Sequence, residues 1–165
     1  MDVEQTPRRL VAVFSSPVSE MLLRFGVELG FRSVLVEPDP TRLLGPPRPH
    51  GDTYVGEVAA AGIDAHTDVV VTDHHRPEIG TVLKELLAGE PRWVGIVGNP
   101  RHEGPHVAAL KELGVGDEDI ARVHRPVGLN IGSRTPPEIA IATLAGLIAD
   151  RNGRPGGFDW SPAGP

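Results

Sequence analysis

The chain has 165 residues, 16 basic and 22 acidic side chains for a formal charge of -6, and an ordinary 39% hydrophobic content. That length fits a single domain, and the acidic balance, without a basic block or aromatic–basic interleaving, argues against a nucleic-acid surface. Cysteine is absent, which removes disulfides, thiolate metal ligands, a thiol nucleophile and any carriage of sulfur as a persulfide.

Residues 1–8 read as a flexible polar tail. The opening MDVEQTPRRL lacks the apolar core of a secretory signal, and no later run approaches a membrane span, so no membrane association is expected and the cytoplasm is the expected compartment. Residues 10–14 (LVAVF) are continuously apolar, the pattern of a parallel strand covered on both faces. Ser16-Pro17 can cap and open a helix running to Leu29, with Met21, Leu22, Phe25 and Leu29 on one face and Gly30 as its stop. Residues 33–37 form a second strand. The Pro-rich stretch 37–52, with Pro38, Pro40, Pro46, Pro47 and Pro49, is either a functional flap or a poorly ordered excursion. Residues 54–63 supply a short strand and a turn or short helix. Residues 68–72 and 93–97 are further strands, separated by a helix over about 77–88.

This alternation predicts an α/β fold, one doubly wound, Rossmann-like domain over residues 9–152 on a parallel sheet with right-handed crossovers. Val11, Val13, Leu35, Val70, Val71 and Ile96 belong to its buried sheet. Residues 153–165 read as a flexible tail in which Phe158 and Trp160 are the residues able to dock.

The most informative block is residues 122–149, RVHRPVGLNIGSRTPPEIAIATLAGLIA. Thr135, Pro136 and Glu138 have the spacing of a capping box with proline at the first helical position. An apolar run from Ile139 to Ala149 follows, closed by Asn152-Gly153. Before it, Gly128 and Gly132 mark backbone that turns sharply or approaches something closely. The block resembles the closing segment of the xanthine dehydrogenase accessory (XdhC/CoxI) family, H-x-P-x-G-L-D-I-G-A-x-T-P-E-E-I-A. His124, Pro126, Gly128, Leu129, Ile131, Gly132, Thr135, Pro136, Glu138, Ile139 and Ala140 fall on that pattern. Asn130 replaces its aspartate, Pro137 a glutamate, and Gly146 a glutamate common in the helix. The resemblance covers residues 9–151 and only the family's C-terminal Rossmann-like domain. It implies an accessory protein that binds the molybdenum cofactor, shields it during sulfuration by a cysteine desulfurase, and delivers it to a molybdenum hydroxylase apo-enzyme. That is a chaperone role rather than turnover. A homodimer is one option for the assembly.

In a doubly wound sheet, ligands sit beyond the carboxyl ends of the strands. The family's first turn usually reads G-x-G-x-x-A/G, but here Phe14, Ser16 and Ser19 occupy those positions. Phenylalanine is expected to resist the tight turn, Ser16 puts a Cβ where a pyrophosphate should approach, and Glu20 adds negative charge. NAD(P) is therefore disfavoured, and a scaffold turn capped by Ser16 is the plainer reading. Glu37 lies where such folds keep an acid for a ribose hydroxyl, or is a solvated strand-end carboxylate. Asp73-His74 resembles part of the family's T-H-D, a polar floor to the cleft, with a solvated loop as the alternative. Adjacent His74 and His75 would point apart in extended chain, and Gly104-Pro105 interrupts His102 and His106, so a metal site is not expected. Gly95 and Gly98 match the family's V-G-x-x-G-S, while Asn99-Pro100 can cap a helix and present amides to an anion beside Arg101; Pro105 either kinks that helix or is where it begins. The candidate cofactor-binding set is Glu37, Asp73, His74, Gly98, Asn99, Arg101, Gly128, Asn130 and Gly132. Its rivals are a degenerate interaction or regulatory domain without ligand turnover and, less favoured, a nicotinamide-dependent oxidoreductase.

Overall fold

The structure, a computed structural model, describes residues 7–44, 53–99 and 101–158. Six parallel strands alternate with helices: β1 Arg9–Val13, α1 Pro17–Glu28, β2 Arg32–Val36, β3 Thr53–Val55, β4 Thr67–Val71, α2 Ile79–Ala88, β5 Trp93–Ile96, α3 Pro105–Glu112, α4 Asp117–Ile120, β6 Val123–His124 and α5 Pro136–Arg151. Short 3-10 turns at Pro40–Arg42 and Val58–Ala61 flank β3. The sheet order is β3-β2-β1-β4-β5-β6, all parallel. The direction of strand succession reverses between β1 and β4, which makes their carboxyl ends the switch point where such sheets open a crevice.

The continuous apolar runs have a direct cause. Val11, Val13, Val34, Val36, Val69 and Val71 pack on one side with Val82, Leu83 and Leu86 of α2 and Leu110 of α3. Leu10, Ala12, Leu35 and Val70 face the other side, against Leu22 and Leu23 of α1 and Ala140, Leu144 and Leu147 of α5. Because both faces are covered, alternation along a strand changes which helix a side chain meets, not whether it is buried. The six residues expected in the sheet core are at most 4% exposed.

Helix starts follow the caps read from the sequence. Ser16 Oγ accepts from Ser19 N at 3.1 Å, and Ser16 N donates to Ser19 Oγ at 2.8 Å. At α5 the Glu138 carboxylate accepts from Arg134 N at 2.8 Å and Thr135 N at 3.2 Å. Helix α2 begins at Ile79, because Arg76 and Glu78 are held in the preceding turn by ion pairs. At the amino ends of the strands, fully buried Asp68 takes Arg92 Nε at 2.6 Å and Arg151 Nε at 2.8 Å, tying β5 and the end of α5 to β4. The tail residue Phe158 is 98% exposed and does not dock. Trp160, Pro46, Pro47, Pro49 and residues 1–6 lie outside the described residues.

Candidate functional site at the carboxyl ends of the strands

The switch-point crevice is filled by the chain itself. Phe14 adopts φ 73°, the left-handed conformation that the motif's first glycine would supply. The turn that phenylalanine is expected to resist forms nonetheless, at a local cost of about 1–2 kcal/mol. The ring is fully buried, and the Arg76 guanidinium lies over it at 4.3 Å from its centroid. Such a stacked cation recovers about 1–2 kcal/mol when desolvated.

Arg76 is in turn locked. Its Nη1 and Nη2 donate to the two Glu37 carboxylate oxygens at 2.9 and 2.6 Å, while Nε and Nη2 donate to Glu78 at 3.1 and 2.6 Å. Glu37 also accepts from Ser15 N at 2.8 Å and Asp39 N at 3.0 Å. Burial alone would push the Glu37 carboxyl up, but these hydrogen bonds and the Arg76 charge outweigh it and hold it below the usual range. The same contacts with Glu37 and Glu78 raise Arg76 further above its ordinary value. Both sequence readings of Glu37 are thus corrected. It is 0% exposed, so it is no solvated carboxylate, and its oxygens are committed, so it has none to offer a ribose.

The amides of this turn are occupied too. Ser15 N serves Glu37, Ser16 N serves Ser19, and Ser19 N serves Ser16. Ser16 Oγ donates to Thr72 Oγ1 at 2.8 Å, bridging the end of β1 to the end of β4 across the switch point. The scaffold reading of the turn matches this geometry, and no serine amide there points outward for a phosphate.

Further along the crown, the sequence-derived residues separate into groups. Asp73 Oδ1 accepts from His75 N at 2.9 Å, and this tight turn brings the His74 and His75 rings to 4.0 Å, where an extended chain would part them. His74 Nδ1 lies 3.1 Å from the Val97 carbonyl oxygen, so that nitrogen carries the proton and pins the β4 loop to the end of β5. Gly98 and Asn99 follow immediately. Asn99 Oδ1 accepts from Arg101 N at 2.9 Å, so it caps a turn; α3 starts only at Pro105, with Gly104 as its uncapped N-cap. Of the two starts that the sequence allows, Asn99-Pro100 and Pro105, the helix takes the second, and Pro100 itself is outside the described residues. Arg101 is exposed.

Gly128 does approach something closely, but that something is α5. At φ +87°, its missing Cβ would stand 2.9 Å from Ala142 C and Thr143 N, and Leu129 N donates to Ala142 O at 3.0 Å. Gly146, where the family pattern has glutamate, gives the other half of this contact. Asn130 and Gly132 are exposed on the same loop, and Gly132 faces open space.

Arg125 escaped the sequence reading. It follows β6 and lays its guanidinium against Gly98, so tightly that Arg125 Nη2 would be 2.7 Å from a Cβ there. Its Nη1 donates to the His102 carbonyl. The family-like pattern around it begins at His124 and skips the arginine, and only the third dimension shows that Gly98 and Gly104 are its seat. Among the described residues, no three His, Asp or Glu side chains converge in a metal-holding group, and no helix is long and apolar enough to cross a membrane.

Comparison with known proteins gives this geometry its relatives. The model of the XdhC Rossmann domain matches residues 10–147. The uncharacterized protein YqeB of Escherichia coli (strain K12) is 30% identical over 168 residues, covering 95% of this chain and 30% of that protein. A probable xanthine dehydrogenase subunit from Bacillus subtilis (strain 168) is 23% identical over 154 residues, covering 90% of this chain and 44% of that protein. A crystal structure described as a xanthine dehydrogenase from Bacillus halodurans superposes with a TM-score of 0.70 at 25% identity, over 93% of this chain and 45% of that one. The chain thus spans less than half the length of these relatives. With the strand order, the matched span and the capped final helix in agreement, the chain belongs to the XdhC Rossmann domain family.

Proposed function

We propose that this chain is an accessory component in the maturation of a xanthine dehydrogenase or CO dehydrogenase-type molybdenum hydroxylase, holding the molybdenum cofactor transiently without turning over a substrate. The observation that carries the reading is the family match over residues 10–147, joined by relatives described as a xanthine dehydrogenase and a probable component of one.

The residues present favour one place for such a group over another. The first turn does not fit a phosphorylated cofactor, because Phe14 and Arg76 fill it and its serine amides are spent internally. The loops after β4, β5 and β6 do fit an anionic end. Arg101 is exposed there, Asp73 and His74 are half-buried polar groups with His74 bonded to the Val97 carbonyl next to Gly98, and Gly132 leaves open space. Gly98, Asn99, Arg101 and Gly132 would hold the cofactor's anionic end, and Asp73 and His74 would line the cleft. The oxidation chemistry the molybdenum centre supplies belongs to the hydroxylase; this chain's residues bind, orient and shield. With no cysteine among these 165 residues, sulfur for the cofactor comes from outside them, which fits a cysteine desulfurase as partner beside the apo-hydroxylase. Such work takes place in the cytoplasm.

A second reading, an interaction or regulatory domain without a ligand, draws support from the sealed first turn. One experiment separates them. The protein is purified from a cofactor-producing host, and mass spectrometry of the released small molecules is combined with activation of apo-hydroxylase. A molybdenum pterin released from the protein, with activation that depends on it, is the expected result. Binding to the hydroxylase with no pterin released would leave only the second reading.

A further inference from the structure

We propose that Arg125, together with the first turn of α3, forms an oxyanion subsite at the carboxyl ends of β5 and β6 that takes the phosphate of a phosphorylated ligand. The identity of the phosphate's carrier rests on the cofactor reading above; the subsite itself does not.

The first support is an imbalance of charge. The other arginines drawn into the protein, Arg9, Arg76, Arg92 and Arg151, each meet a carboxylate. Half-buried Arg125 has none within ion-pair distance among the described residues, only the carbonyl of His102. A guanidinium withdrawn from water without a counter-charge is costly, and a bound anion removes that cost. That it stands in a chain of net charge -6 makes the imbalance local.

The second support is a set of unpartnered nitrogens. Arg125 Nε is buried with no hydrogen-bond partner. His106, only 5% exposed, also has a buried Nδ1 with no partner, set against Gly104 and the Arg125 stem. Burial, and then the charge of Arg125, hold the His106 pKa below its ordinary value against the opposite pull of Glu103, which keeps the imidazole neutral beside the guanidinium. Helix α3 begins here with no side-chain cap, and Pro105 brings no N–H. Val107 N bonds back to Gly104 O at 3.3 Å, whereas His106 N has no acceptor among the described residues. Backbone amide, helix end and guanidinium therefore share one electrical sign at one place.

The third support is the seat. A Cβ on Gly98 would come within 2.8 Å of Arg125 Cζ, and one on Gly104 within 2.9 Å of Arg125 Cδ, so both glycines are required for the guanidinium to lie where it does. Exposed Arg101, its amide turned by Asn99, is the other cation nearest in sequence to the start of α3, and exposed Glu103 opposes an anion there.

The test uses the full chain and follows amide and Arg Nε–H resonances by NMR while pyrophosphate, inorganic phosphate or acetate is added. Saturable shifts are expected at Arg125 Nε–H and at the His106 and Val107 amides with both phosphates. Arg125→Gln should weaken pyrophosphate by about tenfold or more, the worth of a charge-assisted hydrogen bond. Arg101→Gln should weaken it by less than about threefold, as befits an exposed pair. Arg125→Lys should restore part of the loss, and Glu103→Gln should tighten binding. If Arg125→Gln fails to fold, the wild-type Arg125 Nε–H response decides alone. Shifts centred on residues 15–19, unsaturable shifts, or no loss in folded Arg125→Gln would overturn the proposal. An equal response to acetate would assign the subsite to carboxylates and overturn the phosphate assignment. Pyrophosphate bound through Arg125 with no pterin in the purified protein would sink the cofactor reading and leave this one standing; a pterin bound equally well by Arg125→Gln would do the reverse.

Discussion

Breaking the Glu37–Arg76 pair should be among the most damaging single changes in this protein. Arg76 is 3% exposed and Glu37 fully buried, joined by bonds of 2.9 and 2.6 Å, so Arg76→Met strands a carboxylate in the core while keeping an apolar stem over Phe14. Removing one partner of such a pair costs about 3–5 kcal/mol. The loss of the stacked cation adds about 1 kcal/mol, and Ser15 N and Asp39 N, still donating to Glu37, offset part of it. We expect a net loss of about 4 kcal/mol, a large share of the roughly 5–15 kcal/mol that stabilises a domain. With an m-value near 2 kcal/mol/M, the urea midpoint followed by far-UV circular dichroism should fall by about 2 M. Glu37→Gln alone should cost about 3 kcal/mol, and the double variant about as much as Arg76→Met, not the sum, which gives a coupling of about 3 kcal/mol. The pH dependence has a defined sign. Because the folded Glu37 pKa is lowered, its contribution is complete above the unfolded value near 4.3 and is lost as pH falls through the folded value. Additive single losses, or a loss below about 1 kcal/mol for Arg76→Met, would show that the pair does not hold this turn.

Gly128→Ala should cost about 2–4 kcal/mol in urea unfolding, since it adds left-handed strain to a backbone collision with α5, whereas Gly132→Ala, facing open space, should cost only the strain of about 1–2 kcal/mol. Phe14→Gly should relieve φ strain yet destabilise by about 2–3 kcal/mol, because emptying a fully buried aromatic site outweighs the relief; a gain in melting temperature would refute that balance. His106 titrates below its ordinary value, so its neutral form stabilises the fold above about pH 6.5, and that contribution is lost as pH falls from there through the folded value. Replacing it by Gln should flatten this part of the stability–pH profile, and an unchanged slope would count against the buried, neutral imidazole.

The strands and most helix starts were legible because they depend on local patterns. A run such as residues 67–71, buried throughout, announces a sheet covered on both faces, and Ser16-Pro17 announces α1. The site was legible only in part. Gly98, Asn99, Asp73 and His74 were placed at strand ends by periodicity and the family-like motifs, and His74 does reach the end of β5, at the Val97 carbonyl. Glu37 was misread because its partner stands 39 positions away in sequence, and no local signal links them. Gly128 was correctly read as a point of close approach, but sequence does not say whether ligand or helix is the neighbour. Arg125 was missed because its significance is the lack of a counter-charge, a property of the packed molecule.

The Phe14 turn also bears on how such a chain can change over time. Replacement of Phe14 by glycine in one step would leave a void beneath Arg76 and an unstacked cation still held by Glu37 and Glu78. Removing Arg76 first would strand Glu37, and removing Glu37 first would take the acceptor from Ser15 N. Each single step lowers stability, so the lock is a ratchet: an open nucleotide crevice at this turn is reached only by concerted replacement of several residues, and substitution is tolerated more readily at exposed positions such as Arg101 and Asn130, whose side chains lie outside the core.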